Sequence, residues 1–146
     1  MGLKLFQVLT DTSVREILEE TSEDLSPIYM DIPTLEGGKY IFQFELINKD
    51  DNVKYRDINI SIDDSLDPLD PNIEVKLIIK STAPTESDWA MLSNKNTVSI
   101  EELNPSEFVT LWIYVYYPGA NELNILNSLQ KVFNNSLVIE STEIYI

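Results

Sequence analysis

Asp57-Ile58-Asn59-Ile60-Ser61-Ile62-Asp63 alternates polar and apolar side chains without a break. Successive side chains of a strand leave on opposite faces, so this stretch reads as a strand with one buried and one wetted face. The alternation recurs at Tyr40–Leu46 and Ile73–Ile79, and less cleanly at Phe108–Tyr116. A chain assembled from such segments stacks antiparallel sheets on one another.

At the N-terminus, Leu3–Leu9 reads as a short first strand. In the acidic, Ser/Thr-rich Asp11–Asp24, Val14, Ile17 and Leu18 have helical spacing, and Thr12 or Ser13 can cap with Glu16 reaching back. A short helix or coil is expected there, with an extended arm as the alternative. Ile28, Met30 and Ile32 alternate as another short strand, and Glu36-Gly37-Gly38 turns into a long one over Lys39–Asn48. Lys49-Asp50-Asp51-Asn52 is the polar hairpin that follows. Two Asp-Pro steps, Asp67-Pro68 and Asp70-Pro71, set turn or extended geometry before the Ile73–Lys80 strand.

Ser81–Asp88 is expected as a loop, after which Trp89, Met91 and Leu92 return to the core. Val98 and Ile100 mark a short strand. Phe108–Tyr117 is apolar on both faces except at Thr110, which suits a central strand covered on both sides or one turning a face to a partner. Pro118-Gly119 breaks it. Asn121–Asn135 is a long connection in which Leu123, Leu126, Leu129, Gln130 and Phe133 have partly helical spacing, and Leu137–Ile146 is the last strand. Strands at short spacing with Pro, Asn, Asp and Gly turns, and no alternation with long helices, predict an all-β antiparallel sandwich of about seven or eight strands. The expected division is an N-terminal arm with the first short strands over 1–35, a β-sandwich over 36–146, and a long loop before the last strand.

The 146 residues suffice for one core, and 43% hydrophobic with 24% charged residues is a globular composition. The net charge is −15, from 25 acidic against 10 basic residues. Nucleic acid and anionic membrane are disfavoured as partners, because both require Lys and Arg against phosphate. With no Cys and no His, thiolate chemistry, disulfides and Ser–His or Cys–His nucleophilic pairs are excluded. Neither a P-loop nor G-x-S-x-G nor G-x-G-x-x-G occurs. The Asp clusters at Asp50, Asp51 and Asp57, and at Asp63, Asp64, Asp67 and Asp70, offer calcium-type oxygens without EF-hand spacing. They read as solvated turn charges, and no metal, no cofactor and no enzymatic activity is expected. Met1–Phe6 is too short and too soon polar for a signal peptide.

Trp112, Tyr114, Tyr116 and Tyr117 form an aromatic run on one strand. Trp112 is expected in the core, with Tyr116 and Tyr117 on an exposed rim. The expected interface residues are Leu3, Leu5 and Phe6 at the N-terminus with Tyr114, Tyr116 and Tyr117.

Several of these features together resemble one family. They are Leu3–Phe6 with its acidic lead-in, Gly37-Gly38 before Tyr40–Asn48, the Asp-flanked alternating strand, and Thr85–Trp89. Leu92 before Asn94, Ile100 to Pro105, and Leu111-Trp112-Ile113-Tyr114-Val115 running into Tyr117-Pro118 complete the pattern. The chain resembles immunoglobulin-like β-sandwich accessory proteins of tailed bacteriophages, found on capsids, tails and baseplates. The long, partly apolar Asn121–Asn135 departs from the short hairpin such proteins often carry there.

The resemblance implies a non-enzymatic virion structural protein, made in the host cytoplasm. It would bind capsid or tail and baseplate subunits in multiple copies or as a homo-oligomer, with the N-terminal arm lying on a neighbour. The alternative is a carbohydrate-binding or adhesion module using Tyr116, Tyr117 and acidic loops, with or without calcium.

Overall fold

The computed structural model describes residues 2–8, 14–18, 38–65, 73–117 and 137–146. Among the described residues run eight strands and one short helix. They are β1 (Leu3–Val8), β2 (Val14–Leu18), β3 (Gly38–Asn48), β4 (Val53–Ile62), β5 (Glu74–Ile79), α1 (Glu86–Ala90), β6 (Val98–Leu103), β7 (Phe108–Tyr117) and β8 (Leu137–Tyr145). The strands form two antiparallel sheets, one ordered β2-β1-β3-β7-β5 and the other β6-β4-β8.

The period-two pattern decides which faces meet. Registers Phe42↔Ile113 and Phe44↔Leu111 set the inward residues of β3 and β7 side by side. Val75 and Leu77 of β5 extend that face beside Val115 and Ile113, and Leu5 of β1 extends it beside Leu46. Val53, Tyr55, Ile58, Ile60, Ile100 and Leu103 of the second sheet close the same core. The inward residues of β4 are odd-numbered up to Tyr55 and even-numbered from Ile58. A bulge between Arg56 and Asn59 absorbs the extra residue, with Asp57 at a φ of 52°. Without that bulge the one-residue slip would turn half of the strand's apolar set to solvent.

Asn48, fully buried at the end of β3, ties the two sheets together at one corner. Its side-chain amide donates to Val53 O at 2.9 Å and Leu103 O at 3.1 Å, and its Oδ1 accepts from Asp50 N at 2.9 Å. Its backbone holds the β6–β7 turn: Ser106 N donates to Asn48 O, and Asn48 N donates to Glu107 O. That turn has Pro105 at its second position, Ser106 at a φ of 71° at its third, and Glu107 N bonded to Asn104 O. This is the type II pattern. The N-terminus is pinned nearby, with Gly2 N donating to the Tyr55 hydroxyl at 2.6 Å and Lys49 N to Gly2 O at 2.7 Å. A Cβ at Gly2 would run into the Asp50 side chain, so the close approach needs glycine.

The structure departs from the sequence reading at several elements. Val14–Leu18 is a strand, not a short helix, paired antiparallel with β1 from Leu5↔Leu18 to Val8↔Val14. A short helix here would gain few hydrogen bonds to offset its nucleation, whereas the free edge of β1 supplies a ladder at once. β1 lies between β2 and β3, so the described segments of the expected N-terminal arm are strands of the larger sheet. Glu86–Ala90, expected as the end of a loop, is a helical turn. Thr85 and Asp88 form a reciprocal capping box around it. Met91 is 86% exposed and does not enter the core, while Trp89 is buried, but against Tyr114 and apart from the main core. The expected strand around Ile28–Ile32, the Asp67 and Asp70 turns, and the Asn121–Asn135 connection lie outside the described residues.

Candidate interaction surface

The outer face of the five-stranded sheet carries the residues out of phase with the core. Along β3 and β7 the register sets Ile47 beside Phe108, Glu45 beside Thr110, Gln43 beside Trp112, Ile41 beside Tyr114 and Lys39 beside Tyr116. Lys76 and Ile78 of β5 continue the rows next to Tyr114 and Trp112. Phe108 is 57% exposed and Ile41 46%, large apolar side chains on a sheet face that solvent reaches. The ten residues of β7 at ~3.4 Å each make this stripe roughly 30 Å long.

α1 clamps one side of it. Trp89 stacks on Tyr114 with ring centroids 5.3 Å apart and planes tilted by 34°. Lys76 Nζ donates to Trp89 O at 3.1 Å and lies 5.6 Å from the Tyr114 ring centroid. Trp112 Nε1 donates to Lys80 O at 2.8 Å, so the indole expected in the core is instead half-buried on the outer face. Lys80 Nζ meets Asp88 at 2.6 Å, and Lys39 meets Glu86 at 2.9 Å. Burial raises the Tyr114 hydroxyl above its ordinary value. Trp89 Nε1, by contrast, is buried with no hydrogen-bond partner.

The Lys80 ammonium and then the Thr85 backbone amide hold the Asp88 carboxyl down at about 2, against an ordinary 3.8. A depressed acid stabilises the folded state above its unfolded value, and that contribution disappears as pH falls through the folded value. The stability difference between the native chain and Asp88→Asn is therefore expected to be full at pH 6 and gone near pH 2, losing its size below about pH 4. Urea melts read by Trp fluorescence check this, and a difference that persists unchanged at pH 2 contradicts it.

The residues expected at an interface divide sharply. Leu3 and Leu5, each 1% exposed, are sealed in the chain's own core and offer no side chain to a partner. Phe6 lies half-buried on the outer face with Lys49 Nζ 5.6 Å from its ring centroid. Tyr114 and Tyr116 share that face, Tyr114 half-buried under Trp89 and Tyr116 36% exposed. Tyr117 ends β7 opposite Gly38. Ile41 and Phe108 also lie on this face, and parity marks both in the sequence. Ile41 falls between Tyr40 and Phe42, and Phe108 has the even parity of the outward residues Trp112 and Tyr114.

The described acids turn mostly onto their own chain. Asp50 Oδ1 accepts from Asn52 N and Asp63 Oδ1 from Ser65 N, each closing a short turn, and Asp64 meets Lys95 Nζ at 2.8 Å. A shallow depression on the smaller sheet is lined by Arg56, Asp57, Glu101 and Glu102. Arg56 at 3.0 Å and Lys54 at 3.2 Å hold the Glu102 carboxyl below its usual range, as expected of a charge-paired group. Among the described residues no group of acids is arranged to hold a metal ion, and no helix is long and apolar enough to cross a membrane. Comparison of the chain with protein-family models, curated proteins and solved structures finds no match.

Proposed function

We propose that this chain is a non-enzymatic structural protein of a bacteriophage particle, an immunoglobulin-like sandwich docking on capsid or tail and baseplate subunits. The docking surface is the outer face of the five-stranded sheet. The observation that carries the reading is the stripe of Ile41, Tyr114 and Tyr116 with Trp112 beside them, continued past the Glu45–Thr110 row by Phe108 and Ile47. A solvated sheet face ordinarily alternates to polar residues, and a large exposed apolar patch marks an interaction site. A few residues carry most of the binding energy at protein interfaces, and Trp and Tyr are enriched among them. The net charge of −15 keeps such a protein soluble before it docks. The order of residues from Leu3–Phe6 to Tyr117-Pro118 supplies the resemblance to phage accessory sandwiches.

The test is quantitative mass spectrometry of purified particles from cells that carry the gene. The native chain is expected at a fixed copy number per particle. The double variant Ile41→Ser/Phe108→Ser is expected in the soluble fraction, with an unchanged melting temperature. Full incorporation of the variant, or absence of the native chain from particles, overturns the proposal.

A further inference from the structure

Among the described residues four strands lie at sheet edges: β2 and β5 in one sheet, β6 and β8 in the other. An edge strand exposes a row of backbone donors and acceptors that another strand can pair with. On β5 that row is filled by the chain itself. Val75 N donates to Asn94 Oδ1 at 2.8 Å and Lys95 N to Val75 O at 2.6 Å. Leu77 N donates to Asn96 Oδ1 at 2.8 Å, and Asn96 Nδ2 returns a bond to Leu77 O at 2.8 Å. Lys95, at a φ of 55°, sits at the centre of this arrangement. The segment therefore mimics a neighbouring strand and stops further pairing there.

β8 has no such cover among the described residues, and its strand partner there is β4 alone. At nine residues it is the longest of the four edges, against five for β2 and six each for β5 and β6. It contains neither Pro nor Lys, the residues that most often protect an edge.

We propose that β8 is the seam of a two-fold dimer, pairing antiparallel with β8 of a second copy in a register centred on Ser141. The segment Leu137-Val138-Ile139-Glu140-Ser141-Thr142-Glu143-Ile144-Tyr145 is apolar at both ends and polar in the middle. A strand of that pattern complements itself when it runs against its own copy. Centred on Ser141, Leu137 faces Tyr145, Val138 faces Ile144, Ile139 faces Glu143, and Glu140 faces Thr142. Charge and length select this register. Centring the pair on Glu140 would set the two Glu140 side chains directly opposite, and like charges across an antiparallel pair are destabilising. Centring it on Thr142 leaves Leu137 without a partner within β8. The seam also covers Tyr145, which is 77% exposed in the single chain, with the Leu137 of the second copy. The smaller sheets of two copies become one continuous sheet, leaving the outer face of each five-stranded sheet free.

The chain has no cysteine, so one substitution gives an unambiguous readout. Two Ser141 residues facing each other across the axis have Cβ atoms ~5 Å apart, close to what a disulfide needs. Under mild oxidation Ser141→Cys is expected to run as a covalent dimer on a non-reducing gel. Ser93→Cys, exposed and remote from β8, is expected to stay monomeric. Sedimentation velocity in high salt, which screens the charge of each copy, is expected to show a dimer for the native chain and a monomer for Ile144→Lys with an unchanged circular dichroism spectrum. A native chain that sediments as a monomer at several hundred micromolar overturns the proposal. So does Ser141→Cys cross-linking no faster than Ser93→Cys, even if a dimer is present.

Discussion

Replacing Asn48 with Leu is expected to destabilise the fold by about 4 kcal/mol, close to 10 °C or more in melting temperature for a domain of this size. Leucine keeps the branch point and heavy-atom count of asparagine and leaves no cavity, while its bulkier methyl groups add some overpacking to the loss of the hydrogen bonds. Val53 O and Leu103 O, both bonded to the Asn48 amide in the buried corner, would lose their donor. Asp50 N would lose its acceptor as well. Each buried backbone group left unmade costs about 1–3 kcal/mol.

Asn48→Asp is a sharper probe of the same corner. A carboxylate there would point an oxygen at two carbonyl oxygens, so the folded state would favour the protonated acid. With the folded pKa raised above the unfolded one, the variant should be most stable at low pH and lose stability as pH rises toward neutrality. Denaturant midpoints at pH 4 and pH 7 test this sign. A variant that is equally destabilised at both would show that the side-chain amide does not donate to these carbonyls.

Phe44→Ala is expected to cost about 3–5 kcal/mol, because the ring is fully buried at the centre of β3 and the sheets on either side cannot close the cavity. Three residues earlier on the same strand, Ile41→Ser is expected to stay within about 0.5 kcal/mol of the native chain. The contrast checks the parity assignment directly, since the two positions differ in number by an odd step and therefore lie on opposite faces. Urea unfolding of both variants measures it. Equal destabilisation would mean that the outer face of this sheet is covered in solution, and the proposed docking surface would not exist.

Much of this architecture is visible in the order of the residues. Tyr40–Leu46, Ile73–Ile79 and Ile58–Ile62 announce their inward faces because alternation is a property of the extended backbone and needs no neighbour. The bulge at Asp57 was invisible, since Val53 and Tyr55 are in phase with each other and so are Ile58 and Ile60. Only the need to keep both pairs on the core side reveals the extra residue. Val14–Leu18 misled because Val14, Ile17 and Leu18 fit a helical face over so few residues that the free edge of β1 outweighed the local preference. α1 was missed for the opposite reason. Five residues carry no periodicity, and its one signal was the capping pair Thr85 and Asp88.

The candidate surface was half legible. Phe6, Tyr114 and Tyr116 share the outer face, whereas Leu3 and Leu5, expected at an interface, are buried in the core. Their burial follows from β1 joining the larger sheet with its odd-numbered face turned to the core, a placement that no local pattern announces.

By itself, then, the order of residues determined that the chain is all-β, where most strands run, and which side of each turns inward. Those features follow from local sterics and the period of the pleat. Only the folded arrangement settles which strands are neighbours, that Asn48 joins the sheets, and that the edge of β5 is sealed while β8 pairs with β4 alone among the described residues. Such features depend on contacts between distant segments, as when Asn48 meets Leu103 or Asn94 meets Val75. A hydrogen bond of that kind exists only once the chain has brought its two ends together.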